Sequence, residues 1–205
     1  VIVTPNHLHF GAAKAFLEQG IHVVCDKPLA IASREGIELK RLANEHDCLF
    51  MVTYTYTGHA MAREARRIVT VGEIGEVTMV MAEYASGWLL DVPEKQGNKQ
   101  AVWRTDPKLT GISNCVGDIG THVENMVSFI TGLKIERLIA NLDIVGEGRE
   151  LDDNAQILVK YDNGASGVYW TSQVAAGYEN GLKVRVFGSG GSVEFDQEDP
   201  DRLRL

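Results

Sequence analysis

Asp118 and His122 stand four residues apart in the run Gly117-Asp-Ile-Gly-Thr-His-Val-Glu-Asn-Met-Val-Ser-Phe-Ile-Thr-Gly132. Ile119, Val123, Met126, Val127 and Ile130 recur at the spacing of one helical face, which predicts a helix over 118–131. The four-residue spacing puts Asp118 and His122 on a second stripe, which Asn125 continues. A carboxylate, an imidazole and an amide on a rigid element would present a proton-handling group beside a partner that orients it. The same pattern suits a solvated polar face with an acid near the helix start. The helix alone leaves both readings open.

Lys27 is the second residue of this kind. It follows the apolar run Ile21-His-Val-Val-Cys25 and precedes Pro28, which holds it extended. Thr4-Pro5-Asn6 stands in the same relation to Val1-Ile2-Val3. In open parallel sheets, ligands bind beyond the carboxyl ends of the strands. Two strand ends and one polar helix stripe could therefore converge on one cleft.

The elements that must position them read as follows. Strands are expected at 1–3, 21–25 and 48–55, with helices at about 6–20, capped by Asn6, and 33–46, capped by Ser33. Strand-helix-strand order at this spacing implies parallel pairing with right-handed crossovers. A helix at 59–69 and a strand at 77–85 come next, and 86–116 reads as irregular. After the helix at 118–131, strands at 134–145, 155–162, 165–174, 182–187 and 192–196 suggest an antiparallel meander. Asn163-Gly164 and Gly188-Ser-Gly-Gly191 are its turns. The fold class is α/β plus α+β: the second half of a Rossmann-type parallel sheet over 1–55, then a part at 56–205 with a large, mainly antiparallel open sheet.

Composition narrows the function classes. At 205 residues, 44% hydrophobic and 23% charged, the chain suits one sizeable core or two small ones. A formal charge of -8 without a basic block argues against nucleic acid. No apolar run of membrane-span length and no signal-peptide pattern is present, which predicts no membrane partner. Cys25, Cys48 and Cys115 form no C-x-x-C, so neither zinc nor a disulfide framework is indicated, and a reduced cytoplasmic compartment fits. The chain begins inside an apolar run and ends on what looks like a strand just starting, and it reads as an interior piece of a longer protein.

Val1-Ile-Val-Thr-Pro-Asn-His-Leu-His9, Gly20-Ile-His-Val-Val-Cys-Asp-Lys-Pro-Leu-Ala30 and Gly117-Asp-Ile-Gly-Thr-His122, in this order, resemble the Gfo/Idh/MocA oxidoreductases, the glucose–fructose oxidoreductase and inositol dehydrogenase group. The resemblance implies hydride transfer between a sugar or polyol carbon and NAD or NADP, with homo-oligomers (dimer or tetramer) formed through the open sheet. It implies that Lys27 hydrogen-bonds the reacting hydroxyl, that His122 accepts its proton and that Asp118 binds substrate and supports the histidine. Thr4, Pro5, Asn6 and His9 match the loop past ribose and nicotinamide. Asp26, where the family usually has Glu, and Pro28 belong to the same cofactor-side signature. Trp103-Arg104 resembles an element that closes over cofactor and substrate. Tyr56 and His59 are expected on the substrate side, and Tyr54 in the core.

The phosphate-binding G-x-G-x-x-G is absent, and the run before Asp118, Gly111-Ile-Ser-Asn-Cys-Val-Gly117, departs from the Gly-rich pattern. His7, His9 and His22 lack the spacing of a metal site, and Asp152-Asp153 reads as a strand-leading acidic turn rather than a calcium loop. Trp170 and Tyr169 should face opposite sides of one strand. Two other functions share the pattern: NAD-dependent glycoside cleavage, and a non-catalytic assembly or sugar-sensing module.

Overall fold

The computed structural model describes all 205 residues. Two sheets organise the chain. In the first, β1 (Val23–Cys25) pairs parallel with β2 (Phe50–Val52), and Ile2 adds a parallel bridge to Cys25. Helices α1 (His9–Leu17) and α2 (Ser33–Glu45) cover it. Ala13, Leu17, Leu39, Leu42 and Ala43 meet Ile2, Val23 and Cys25 in a core of 8 buried residues. The parallel pairing of these first strands is as expected. Two details differ: the third strand stops at Val52, and neither Asn6 nor Ser33 caps a helix with its side chain. Asn6 is instead buried, its amide donating to Thr110 at 3.4 Å.

After α3 (Ala60–Thr70), the second sheet begins with β3 (Val77–Ala85). Then come two short helices, α4 (Lys99–Arg104) and α5 (Pro107–Thr110), within the span expected to be irregular. A π-helical turn at Val116–Gly120 leads into α6 (Thr121–Thr131). Strands β4 (Ile135–Asp143), β5 (Asn154–Tyr161), β6 (Ser166–Ser172), β7 (Gly181–Gly188), β8 (Ser192–Asp196) and β9 (Leu203–Arg204) follow. Their order is β4-β5-β6-β3-β7-β8-β9.

The expected meander is broken at one place. β6 and β7 do not pair; β3 lies between them, antiparallel to β7 but parallel to β6. Tyr84 thereby sits opposite Thr171, and the carboxyl ends of two parallel strands open at the same level. One face of this sheet carries Val80, Val159, Tyr169, Val184, Val186 and Phe195 against α3 and α6, in a core of 24 buried residues. Each fully buried side chain of this size contributes about 1.5–3 kcal/mol relative to exposure. The second unit, with three times as many such residues, is the stable base on which the first unit's loops rest. The opposite face is open: Ile139, Leu158 and Val168 lie side by side on it, exposed. Tyr169 points into the core and Trp170 outward, packed on Tyr178, as strand alternation requires.

Candidate active site

The loop after β1 delivers Lys27, and the π turn delivers Asp118. The Lys27 ammonium is ion-paired with one oxygen of Asp118 and lies 3.4 Å from its backbone carbonyl. Gln173, at the end of β6, donates to the other carboxylate oxygen at 2.9 Å. The Arg104 guanidinium, from the end of α4, lies 3.6 Å away. Four elements from both halves of the chain thus meet on one carboxylate. A π turn is a local widening of the helix ladder and is frequent where a helix must re-aim a side chain. Here the widening spans Asp118 itself.

His122 begins the regular part of α6. It is 5% exposed, among Tyr56, Tyr54 and Tyr84, with ring centroids at 4.5, 5.5 and 6.0 Å. Burial, reinforced by the Lys27 charge, pushes its pKa down to about 4, so the ring is neutral at physiological pH. The Asp118 charge acts on His122 in the opposite sense, raising its pKa against burial, but no hydrogen bond joins the two side chains. Asp118 lies within the π turn, and its carboxylate is engaged by Lys27, Arg104 and Gln173.

Two cavities flank the Lys27–Asp118 pair. The larger, about 350 Å³, is lined by Lys27, Asp118 and His122 with Tyr56, Tyr84 and Arg104, and further by Ser86, Trp88, Gln100, Glu179 and Asn180. The smaller, about 260 Å³, opens over Thr4, Pro5, Asn6, Asp26 and Trp103. Lys27, Gln100, Arg104 and Asp118 line both. In the larger cavity the Tyr56 and Tyr84 hydroxyls are 2.9 Å apart, and Tyr84 donates to the Asn180 side-chain oxygen. That leaves the Asn180 amide nitrogen as a donor. Arg104 is stacked on Trp103, its guanidinium 4.2 Å from the ring centroid, with Trp88 at 5.9 Å.

Residues 62–194 match the model of the GFO/IDH/MocA C-terminal domain, and residues 1–54 match that of the oxidoreductase family with an NAD-binding Rossmann fold. The chain belongs to the Gfo/Idh/MocA family. Among its relatives, the uncharacterized oxidoreductase YfiI of Bacillus subtilis is 37% identical over 98% of this chain and 52% of its own length. An inositol dehydrogenase homolog from Azotobacter vinelandii, solved with NAD+, superposes with a TM-score of 0.95 at 39% identity, covering 98% of this chain and 52% of that one. An inositol dehydrogenase homolog from Azotobacter vinelandii solved with NADH and myo-inositol gives 0.89 at 36% identity, over 98% and 51%. The chain spans about half the length of the relatives it matches.

Within this Gfo/Idh/MocA chain, most of the residues singled out from sequence border the two cavities. Thr4, Pro5, Asn6, Asp26 and Trp103 line the smaller one, Tyr56 and His122 the larger, and Lys27, Arg104 and Asp118 both. Three do not reach either. His9 is fully buried, its ring nitrogens each 2.8 Å from the carbonyls of Thr4 and Pro28, so it ties the two loops together from behind. Pro28 is buried beside it, following a cis peptide bond. His59 stacks on Tyr56 rather than facing the cavity. Tyr84, Ser86, Gln100, Gln173, Glu179 and Asn180 were missed. Tyr84, Ser86 and Gln173 sit at the ends of β3 and β6, and only the parallel pairing of those strands brings them together. Gln100 and Glu179 carry no local signal.

Proposed function

We propose that these residues form the substrate side and the nicotinamide side of an NAD- or NADP-dependent dehydrogenase acting on a hydroxyl carbon of a sugar or polyol. The carrying observation is the single cavity that Lys27 and His122 both line, adjoining a second, polar cavity at the strand ends. The smaller cavity suits the nicotinamide end of such a cofactor: it lies beyond parallel strand ends and shares its wall with the reacting-site residues. When bound, the cofactor exchanges the hydride. The protein's part is the proton and the field. His122 presents an unprotonated ring to the reacting hydroxyl, and the nearby Asp118 and Asp26 charges, which raise its pKa against burial, offset part of the cost of protonating it. The Lys27 ammonium, fixed by Asp118, steadies the alkoxide charge that develops on the oxygen. Tyr56, Tyr84 and Asn180 offer a row of hydroxyl and amide groups suited to the remaining hydroxyls of a polyol. The relative solved with NADH and myo-inositol supports the substrate class.

On this reading residues 1–55 are the second half of the dinucleotide-binding domain, and 56–205 belong to the substrate and assembly domain. The open apolar face with Ile139, Leu158 and Val168 is the surface offered to a second copy of this chain. Three free cysteines suit a reduced, cytoplasmic setting. No helix is long and apolar enough to cross a membrane. The test is a panel of sugars and inositols with both cofactors on the full-length protein, followed by nicotinamide absorbance. Cofactor reduction with a neutral polyol is expected, and its absence with every polyol and both cofactors would overturn the proposal.

A further inference from the structure

Asp152 and Asp153 are adjacent, both carry a carboxylate, and both are buried, at 4% and 0% exposure. Buried carboxylates persist where several donors satisfy them. These two are satisfied in different directions. Asp152 accepts from Asn114 N at 3.0 Å and Val116 N at 2.9 Å, and its carbonyl accepts from Cys115 N at 3.0 Å. Three successive backbone N–H groups just before Asp118 are thus pinned by one residue. Asp153 accepts from Val145 N, Gly146 N and Arg149 Nη1, all within 2.7–2.8 Å. The Arg149 side chain, 2% exposed, reaches across to grip Glu94 at 2.7 and 3.2 Å and the Leu89 carbonyl. Leu89 and Glu94 anchor the segment that carries Trp88, Gln100 and Arg104, one wall of the larger cavity. The Asp153 carbonyl accepts from Gln173 N at 2.8 Å, and the Gln173 carbonyl from Leu89 N at 2.9 Å. Gln173 is the residue that donates to Asp118.

We infer that Asp152, Asp153 and Arg149 form a positioning bracket for this site: Asp152 sets Asp118 through residues 114–116, and Asp153 with Arg149 sets the Trp88–Arg104 wall. None of the three touches either cavity; they act through the residues that do. Their effect on turnover rests on the dehydrogenase reading, but their effect on the two walls does not. The two arms should therefore separate. In the full-length enzyme, Asp152→Asn, which turns an amide N–H toward donors that need an acceptor, should lower kcat about 10-fold or more with KM within about threefold, because it shifts the group that aligns Lys27. Arg149→Met should raise KM for the polyol about 10-fold or more with kcat within about threefold, and Arg149→Lys should recover part of that loss.

Amide hydrogen exchange gives a readout that needs no turnover. Asp152→Asn should speed exchange across 114–120 and spare 88–104, and Arg149→Met should do the reverse. Should Arg149→Met not fold, Glu94→Gln tests the same arm with one partner weakened. Uniformly faster exchange in both variants, or lowered melting temperatures with wild-type kcat and KM, would show a cluster that only stabilises the fold and would overturn the inference. Separated exchange patterns in a protein that oxidises no polyol would leave the bracket standing and remove the dehydrogenase reading.

Discussion

His122 is the residue whose environment decides most. Its pKa falls from 6.5 to about 4 because the ring is buried among three tyrosines, with the Lys27 charge adding to the effect. An unfolded chain takes up the proton near pH 6.5 while the folded one resists it, so stability should decline as pH falls from about 6.5 to about 4 and level off below. The shift corresponds to on the order of 3 kcal/mol. Thermal melts of wild type and His122→Asn across this range should diverge, the variant losing less; parallel curves would mean that the ring titrates normally. Lys27 is the complementary test. In the full-length enzyme, Lys27→Ala and His122→Ala should each cut turnover by about 10²-fold or more, the scale of a lost acid–base contribution. Near-normal steady-state turnover in either would remove that residue from its role.

Among the elements, β6 shows how packing turns on a single residue. Gly167 lies opposite Val159 on the face toward the core, and a Cβ there would stand 2.6 Å from Val159 Cγ2 and 2.8 Å from the Tyr161 hydroxyl. Both neighbours are buried, and the Tyr161 hydroxyl is held 2.7 Å from that of Tyr169. Gly167→Ala should therefore overpack the core and cost about 1–3 kcal/mol. Differential scanning calorimetry should show a melting temperature lower by roughly 2–4 °C per kcal/mol for a chain of this size; an unchanged value would mean that Tyr161 yields freely. β6 also explains the main topological surprise. Alternating apolar residues and Asn-Gly turns mark strands and hairpins in sequence, and the β5–β6 hairpin is where Asn163-Gly164 put it. Which strand lies beyond β6 is not written locally, because β3 is recruited from about eighty residues upstream by its own apolar face. That recruitment carries Tyr84 and Ser86 to the cavity.

At the scale of the whole molecule, the two units share their site but not their stability. The first has a core of 8 buried residues against 24 in the second, with Val1, Val3, Leu49 and Met51 exposed on its small sheet. Within these 205 residues there is no G-x-G-x-x-G, the motif that sets a pyrophosphate on a helix N-terminus. NADH titrated calorimetrically against these residues alone should bind weakly, with no saturation at micromolar concentrations. Micromolar affinity would show that these residues suffice by themselves.

The convergence of Lys27, Asp118 and His122 on one cavity, the parallel order of the first unit, the strands of the second and the family itself were legible in the sequence. Periodicity, turn chemistry and local motifs are properties of neighbouring residues. The partner of each side chain was not. The pairing of Asp118 with Lys27, ninety-one residues away, and the buried roles of His9, Gln173 and Asp152 arise from segments far apart in the chain. Those assignments depend on which surfaces exclude water together, and that is settled only when the whole chain has packed.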